Sequence, residues 1–376
     1  MKTRRIKTIF LFLLTMPFIG IYAQSIYYVS PHASSGGDGS PATPFHIIHE
    51  AVEKARKDKN CTTIYLREGE YILDTPLVLT SADGNDSKEL IIRNYPGEKA
   101  IISSGITLDL KWEKYKNGIM RAAVKGNPVM DMLIVNGDLR SMARYPDYDK
   151  TAVRFNGTSA LATAPERVKK WKNPEGGYLH AMHSHDWGDF HYRITGKNEK
   201  GELQLEGGWQ NNRPMGIHPE NRMVENIFEE LDAPGEWYYD KQEGWLYYYP
   251  LSDENINELV FETPQLKNLI EIAGTSSHPV KNITIEGIEL TQTIRTFMEH
   301  YEPLLRSDWT IYRGGAVIFR GTEKCTLRDC YIHHVGGNGV FFDKYNRYSA
   351  VTGSYLTSIG ASAICFVGDV AGGRSP

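Results

Sequence analysis

Apolar and polar residues alternate in short runs that recur along the C-terminal third of the chain. The run at 326–343, TLRDCYIHHVGGNGVFFD, aligns with the run at 350–369, AVTGSYLTSIGASAICFVGD, at a constant shift of 24 residues. The alignment pairs Leu327 with Val351, Ile332 with Leu356, Val335 with Ile359, Gly336 with Gly360 and Val340 with Ile364. Short apolar segments that are separated by Gly, Asn and Asp at a period in the twenties are typical of stacked β-solenoid turns.

An earlier and interrupted copy of the repeat precedes these two. ITIEGIELT matches the first half of the repeat, and GGAVIFRG at 314–321 matches GNGVFFDK, with an insertion at 292–313 between the halves. In a solenoid the inward side chains of successive turns pack on one another, so each turn is stabilised by its neighbours. We therefore predict an all-β solenoid with parallel sheets, and an antiparallel sandwich is the alternative.

The N-terminal part of the mature chain fits the same architecture. IYYVSPHASSGGDGSPATPFHIIHEAVEKA gives a strand, a glycine-rich loop and an amphipathic helix with apolar residues at Ile47, Ile48, Val52 and Ala55. Two further runs, TTIYLREGEYIL and KELIIRNYPGEKAIISSG, predict short strands. We expect residues 24–105 to form the first turns, with the helix covering their open edge.

The repeat spacing is lost between residues 106 and 264. Trp-, Tyr- and Gly-rich hairpin patterns replace it, including YYDKQEGWLYYYP, whose two aromatic strands flank a turn at 241–244. We interpret 106–264 as an inserted β-rich module. Residues 265–376 are expected to form further turns that stop without a cap.

The first residues of the chain predict export. Lys2, Arg4 and Arg5 precede a short apolar run and the small-residue context Ile21-Tyr22-Ala23, so residues 1–23 are expected to be a signal peptide. We expect no membrane span, because no later stretch approaches the roughly 20 apolar residues that one needs. The predicted location is secreted or periplasmic.

Composition excludes some classes of partner and cofactor. The net charge of −4 comes from interspersed charges, so no nucleic-acid partner is expected. Four cysteines are too few for a disulfide scaffold and are interpreted as buried small residues.

Two groups of motifs carry a resemblance to known families. YYVSP, GGDGSPATPF and TIYLREGEYIL are similar to the opening of pectate-lyase-like right-handed parallel β-helix proteins. VNGDLRSMARYPD, GGWQNNRPMGIH and VENIFEELDAPGEWYYD resemble bacterial β-helix proteins related to glycoside hydrolase family 141. The resemblance implies an exported fucosidase- or xylanase-like glycoside hydrolase that acts on a plant-type polysaccharide or oligosaccharide. It also implies that the chain is the N-terminal portion of a longer enzyme, whose later turns carry catalytic carboxylates.

Two acids in the repeats are the catalytic candidates of this chain. Asp343 and Asp369 each follow the last strand of a repeat, so they are expected in nearly equivalent positions, about 5 Å apart by the spacing of strands. That spacing suits the carboxylate pair of a retaining glycosidase. The alternative is that each Asp ends a strand by bonding to its own backbone.

Candidate substrate-binding residues lie in the 106–264 segment. HSHDWGDFHYR would place His183, His185, Asp189 and His191 on one face if it formed a single strand, but it has no defined ligand spacing, so no metal is expected. From this motif and GGWQNNRPMGIH we predict that a sugar contacts His183, Trp187, Trp209, Asn211, Arg213 and His218. The acids of FEELDAPGEW, which are Glu229, Glu230, Asp232 and Glu236, are interpreted as part of a turn.

Two other functions stay open at this point. A polysaccharide lyase would use a basic residue and often Ca²⁺, and Arg320 and Arg328 lie in the repeats. Otherwise no cofactor is expected. A non-catalytic glycan-binding β-helix would retain the sugar contacts without a complete carboxylate pair.

Overall fold

A computed structural model describes residues 24–211, 215–303 and 310–369. Arg213 and the predicted signal peptide at 1–23 lie outside these ranges. Within them the chain is mostly β-strand, with parallel sheets, as the sequence predicts. No helix in the described ranges is long and apolar enough to cross a membrane.

The strands fall into an N-terminal, a middle and a C-terminal group. The N-terminal group is β1 (Gln24–Val29), β2 (Cys61–Leu66), β3 (Gly69–Ile72), β4 (Leu77–Leu79), β5 (Leu90–Asn94) and β6 (Ala100–Ser103). The middle group is β7 (Gly105–Thr107), β8 (Glu113–Lys114), β9 (Met120–Ala123), β10 (Leu133–Val135), β11 (Asp138–Arg140), β12 (Arg144–Tyr145), β13 (Tyr178–His183), β14 (Asp189–Lys197), β15 (Leu203–Gly207), β16 (Ile217–Glu225), β17 (Trp237–Asp240), β18 (Trp245–Tyr248) and β19 (Phe261–Pro264).

The C-terminal group continues to the end of the described chain. It comprises β20 (Ile270–Ala273), β21 (Val280–Lys281), β22 (Ile283–Glu286), β23 (Glu289–Thr293), β24 (Glu302–Pro303), β25 (Thr310–Ile311), β26 (Val317–Glu323), β27 (Thr326–Arg328), β28 (Tyr331–Val335), β29 (Val340–Arg347), β30 (Ala350–Thr352), β31 (Tyr355–Leu356) and β32 (Ile364–Val367). The helices are α1 (Ile48–Lys57) and α2 (Pro165–Val168), with 3₁₀ turns at Ala160–Thr163, Phe228–Glu230 and Ile256–Glu258.

The N-terminal and C-terminal groups together build three parallel sheets. Sheet A has the order β1-β2-β5-β22-β27-β30, sheet B the order β3-β6-β23-β28-β31, and sheet C the order β4-β20-β26-β29-β32. From β2 onward the chain visits the sheets in the order A, B and C, and then returns to A for the next turn. Each turn is thus hydrogen-bonded to the turns before and after it.

The register of these sheets is the one that the repeat predicts. Leu327 pairs with Val351 and Val340 pairs with Ile364, so the shift of 24 residues holds in both sheets. Ile64, Ile92, Ile285 and Leu327 form one inward ladder along sheet A, and all four are fully buried. Burial of each such side chain contributes about 1.5 to 3 kcal/mol, which favours this register over a slip that would expose the ladder.

Helix α1 packs against the first turns through one apolar face. Ile48, Ala51, Val52 and Ala55 are buried, whereas Ile47 lies outside the helix at its N-cap and is exposed, contrary to the prediction that it packs inward. At the other end, Lys88 Nζ donates to Ala55 O at 2.7 Å. A buried cation at this end satisfies carbonyls that the helix leaves free and matches its dipole.

The middle group forms antiparallel sheets only. Their orders are β11-β10-β19-β7, β12-β16-β13-β14-β15 and β17-β18-β9-β8. The predicted aromatic hairpin is β17 and β18, with Trp237 opposite Tyr248 and the turn at 241–244. We call the five-stranded sheet that contains β13, β14 and β16 sheet G.

Candidate functional site

The outer face of sheet B carries a row of acidic, aromatic and basic side chains. Glu70 and Glu289 both pair in register with Ile101, and Tyr331 pairs with Glu289. Their neighbours Tyr71, Ile102, Leu290 and Ile332 are buried in the core, so the strand pleat turns the two glutamates outward. Two carboxylates from distant parts of the chain therefore share one ladder.

Glu289 is held as a carboxylate by two basic side chains. His333 Nε2 donates to Glu289 Oε1 at 3.0 Å, and Lys99 Nζ lies 2.7 Å from Glu289 Oε2. Burial alone would raise the pKa of Glu289, but the hydrogen bonds from His333 and Lys99 outweigh burial and lower that pKa. Glu289 is therefore ionised in neutral solution.

Glu70 experiences the opposite influence. Burial is the main cause that raises the pKa of Glu70, and the negative charge of Glu289 raises it further against a hydrogen bond to Ser103. Burial, and then the charge of Glu70, also raise the pKa of Glu262, which lies on β19 of the middle group. The surroundings thus raise the pKa values of Glu70 and Glu262 and lower that of Glu289.

Glu262 is placed by a glutamine in an unusual backbone conformation. Gln292 has a φ of +59° and donates from Nε2 to Glu262 Oε2 at 3.2 Å. A Cβ on Gly105 would lie 1.7 Å from Gln292 Oε1, so a larger residue there would displace the end of the Gln292 side chain. These contacts bring strand β19 over the edge of sheet B.

One histidine and one threonine fix the orientation of the His333 ring. Because His333 Nε2 donates to Glu289, its Nδ1 accepts in the neutral ring, and Thr291 Oγ1 and His334 Nδ1 lie 3.3 and 3.0 Å away. Burial, and then the nearby His333, lower the pKa of His334. His333 is a positioning residue, since it acts through Glu289.

A cavity of about 310 Å³ adjoins Glu289. Lys99 and Tyr331 also line it, and Tyr331 stacks on His333 with ring centroids 4.3 Å apart. The volume is at the lower end of the roughly 300 to 1,000 Å³ of ligand pockets. A short glycan unit could lie here with its hydroxyls against Glu289 and a ring against Tyr331.

This arrangement can supply acid and base catalysis. Pairs of carboxyls whose surroundings move their pKa values apart are the usual acid and base of one reaction. Here Glu70 could donate a proton to a leaving group while Glu289 accepts one or attacks. Within the described ranges, no group of three or more His, Cys, Asp or Glu residues is placed to hold a metal ion.

The structure places Asp343 in a different setting from the predicted one. Asp343 is 2% exposed, and its two carboxylate oxygens accept from Arg313 at 2.6 Å and from Arg320 at 2.7 Å. Its register partner is Val367, whereas Asp369 lies two residues further, beyond the end of β32. The predicted equivalence of Asp343 and Asp369 is therefore wrong, because two more residues, Val367 and Gly368, precede Asp369 in its repeat.

The arginines that the lyase alternative invoked are occupied as well. Arg320 Nη1 donates to Glu271 at 2.6 Å in addition to its bond to Asp343. Arg328 Nη2 donates to Glu286 at 2.6 Å. Both guanidinium groups therefore have carboxylate partners within the protein.

HSHDWGDFHYR forms a hairpin, not one strand. Strands β13 and β14 are antiparallel and reverse at 184–188, which pairs Met182 with Asp189. Asp189 and His191 lie on one face of sheet G, whereas His183 stacks on Phe190 on the other. The prediction that His183, Asp189 and His191 share a face is wrong, because the alternation was counted through a turn.

Three of the predicted binding residues meet at this turn. Trp187 is about half exposed at 49% and stacks on the buried His183 at an angle of 10°. Asn211 Nδ2 donates to Trp187 O at 2.6 Å. His183 Nδ1 accepts from the backbone of His185, and its Nε2 has no hydrogen-bond partner among the described residues.

The other predicted binding residues do not join them directly. His218 accepts the backbone N–H of Asn221, whose side chain donates to Asp186 in the same hairpin turn at 3.1 Å. Trp209 instead donates from Nε1 to Glu299 O at 2.6 Å, on the segment that follows β23. Trp209 therefore anchors two parts of the chain to each other.

Of the acids of FEELDAPGEW, Glu230 binds side chains outside the predicted turn, whereas Glu236 binds backbone groups within it. Glu230 accepts from Trp171 Nε1 at 2.6 Å and from Arg167 at 2.7 Å. Glu236 accepts two backbone N–H groups of the turn. Burial raises the pKa of Glu236 to about 8, so this acid is neutral inside the protein.

A buried network on sheet G escaped the sequence analysis. His180 Nδ1 and His191 Nδ1 are 2.7 Å apart, and His180 Nε2 lies 3.1 Å from Glu225 Oε1. Glu225 also accepts from Arg295, which bonds Asp131 at 2.8 Å. The residues come from distant parts of the chain, so no local motif identifies them.

Glu70 and Glu289 were also missed. Both sit in alternating strand segments, GEYI and ELTQT, where an outward polar residue is unremarkable. The repeat alignment did place Glu289 opposite Tyr331, and that was the available signal. The link to Glu70 depends on sheet order, which the sequence pattern does not give.

Comparisons with known proteins support the fold. The chain matches no protein-family model. Over 88 residues it is 34% identical to the uncharacterized protein YwoF of Bacillus subtilis (strain 168), a match that covers 23% of this chain and 17% of YwoF. A solved structure described as a glycoside hydrolase matches 88% of this chain and 65% of its own length, with a TM-score of 0.71 and 21% identity.

A second solved structure is more distant. It is the complex of XylC with xylose, with a TM-score of 0.43 and 12% identity over 89% of this chain and 54% of its own length. The chain thus spans about two thirds of the glycoside hydrolase structure and a small part of YwoF. The likeness to the glycoside hydrolase shows that this chain shares its fold.

Proposed function

We propose that this chain is an exported glycoside hydrolase built on a right-handed parallel β-helix. The repeated order of sheets A, B and C supports the helix, and the antiparallel character of β7–β19 supports an inserted module at 106–264. The signal-peptide pattern at 1–23 supports export to the periplasm or the medium. The substrate is a plant-type polysaccharide or oligosaccharide, and the resemblance suggests a fucosidase- or xylanase-like specificity.

The observation that carries the proposal is a pair of glutamates on sheet B whose pKa values are shifted in opposite directions. Glu289, with its lowered pKa, is the base or nucleophile, and Glu70, with its raised pKa, is the acid. Their ladder positions are two strand spacings apart, which is about 9 to 10 Å between backbones. Side chains that project in parallel from these positions hold their carboxyl groups at a similar separation, which is closer to the roughly 6.5 to 9.5 Å between the carboxyl groups of inverting glycosidases than to the roughly 5 to 5.5 Å of retaining ones.

Asp343 and Asp369 are weaker candidates on geometric grounds. Both oxygens of Asp343 are held by arginines, and the side chain is almost completely buried. A carboxylate so engaged has no free oxygen for a sugar or for water. Asp369 is exposed, but it is not the ladder partner of Asp343.

A second sugar contact is proposed at the 184–188 turn. Trp187 offers an exposed ring whose plane is fixed by stacking on His183, and Asn211 holds its backbone. Flat aromatic faces with nearby polar groups are suited to sugar rings. Trp187 would bind a part of the glycan without taking part in the chemistry.

The test is release of reducing ends from a panel of fucosylated and xylan-type glycans. We expect the Glu289→Gln and Glu70→Gln variants each to lose about 10²- to 10⁴-fold in kcat. The Asp369→Asn variant serves as the matched exposed-acid control and should keep wild-type rates. Release of unsaturated, ultraviolet-absorbing product would instead identify a lyase, and sugar binding without turnover would identify a binding protein.

A further inference from the structure

The buried histidine pair of sheet G lies where that sheet meets the segment that follows β23. His180 is 5% exposed, and its ring lies 5.0 Å from the ring of Phe297, which also packs 5.2 Å from His191. Gln210 Nε2 donates to Phe297 O at 2.8 Å. Segment 294–301 therefore crosses directly over the two imidazoles.

The hydrogen bonds determine where the protons are. Glu225 is ionised, because the charge of Arg295 and the hydrogen bonds from His180 and Arg295 overcome the effect of burial and lower its pKa. It accepts from His180 Nε2, so that nitrogen carries a proton, and a neutral His180 accepts at Nδ1. His191 must then donate its Nδ1 proton to His180 across 2.7 Å.

The contact between His191 and Asp189 defines the outer end of this series of hydrogen bonds. His191 Nε2 faces Asp189 Oδ2 at 3.4 Å. A lone pair there would face a carboxylate, so the contact is favourable only when Nε2 is protonated. The two rings in this geometry therefore hold three protons on four ring nitrogens, one more than two neutral rings would hold.

A second extra proton is incompatible with this geometry. If both rings were imidazolium ions, both Nδ1 atoms would carry hydrogens and the bond between them would break. Burial, and then the positive charges of His191 and Arg295, oppose protonation of His180, and although Glu225 favours it, the net effect is a lowered pKa. The fully protonated pair can form only if the rings separate, which displaces Phe297.

We propose that His180 and His191 form an acid-sensitive lock, which holds sheet G against segment 294–301 in neutral solution and releases it when His180 is protonated. The charged groups that face the pair are Glu225 on β16, Asp189 on β14 and Arg295 after β23, with Asp131 behind Arg295. Tyr178 and Phe155 complete its surroundings. This lock is independent of the catalytic pair proposed on sheet B.

The sign of the effect follows from proton linkage. His180 has a lower pKa in the folded protein than the ordinary value near 6.5, so the open state binds more protons as the pH falls below about 6.5. The lock weakens about tenfold for each pH unit over which one extra proton is taken up on opening. The pKa values of Asp189 and Glu225 are lowered in the folded protein. Protonation of these two carboxylates therefore weakens the lock only below about pH 4, the ordinary range of carboxyl pKa values.

Hydrogen exchange of peptides that cover 178–183 and 294–301 tests the lock. From about pH 6.5 to pH 5, exchange corrected for its intrinsic rate should rise in wild type. His180→Asn keeps an acceptor near the Nδ1 position but cannot titrate, so its exchange should be flat across this window. His278→Asn removes an exposed histidine on the loop before β21 and should behave as wild type.

Two results would overturn the lock. One is a pH-independent exchange in wild type, and the other is an unchanged pH dependence in His180→Asn. If that variant does not fold, nitrogen NMR of the wild-type imidazoles decides. The lock requires a His180 ring with only Nε2 protonated at pH 7, and two rings that titrate together near pH 6.5 would refute it.

Discussion

Replacement of His333 by Phe, which keeps a ring beside Tyr331 but has no donor, should raise the pKa of Glu289. His333 donates one of the two charge-stabilising bonds to Glu289, whose side chain is 12% exposed, so solvent screens the loss only weakly. A hydrogen bond to a charged group is worth about 1.5 to 3 kcal/mol. At about 1.4 kcal/mol per pKa unit, the expected rise is roughly one to two units.

The sign follows from the role of Glu289 as a carboxylate. A raised pKa leaves less ionised Glu289 in weakly acidic solution, so the acidic limb of the pH–rate profile moves to higher pH. The alkaline limb, which reports the protonated Glu70, should move little. Carbon NMR of the Glu289 carboxyl measures the same shift without any turnover, and His278→Phe is the control.

Two outcomes would refute this reasoning. The first is a Glu289 carboxyl that titrates at the same pH in wild type and in His333→Phe. The second is a profile in which the alkaline limb moves and the acidic limb stays. Either would mean that His333 does not stabilise the charge of Glu289.

Three further predictions concern stability and the placing of Glu262. Leu327→Ala should lower the free energy of unfolding by about 2 to 5 kcal/mol in chemical denaturation, because it opens a cavity in the ladder of sheet A, and a cost below 1 kcal/mol would contradict that packing. Asp343→Asn should cost about 1.5 to 3 kcal/mol, since a neutral amide replaces the buried carboxylate that binds Arg313 and Arg320, which keep Glu302 and Glu271 as partners, and a stable variant with lost turnover would instead favour a catalytic role. Gly105→Ala should displace the Gln292 side chain and reduce kcat/KM, and wild-type kinetics in this variant would argue against the contact.

The parallel sheets could be predicted because apolar side chains recur at the fixed interval that sets the register of the strands. Leu327 and Val351 must both be apolar, since each packs on the next turn, and this requirement repeats at a fixed interval. The hairpin of β17 and β18 is a local pattern of the same kind. Such features depend on neighbours along the chain or on a constant shift.

The site could not be predicted in the same way. Glu70 and Glu289 become neighbours only because the chain leaves sheet B after β6, builds β7–β19, and returns to place β23 beside β6. Asp343 looked available because its partner Arg313 lies in an insertion that the repeat does not constrain. The turn at 184–188 could not be recognised in the sequence, because its polar residues continue the alternating residue pattern of the strands on either side.

The most direct test of the central claim is the configuration of the first product formed by wild type, followed by proton NMR in parallel with Glu289→Gln and Glu70→Gln. The account predicts an anomeric centre inverted relative to the substrate, with the signal absent on the same timescale from both variants. A retained configuration, or an inverted product formed by the variants at the wild-type rate, would contradict the assignment of Glu70 and Glu289.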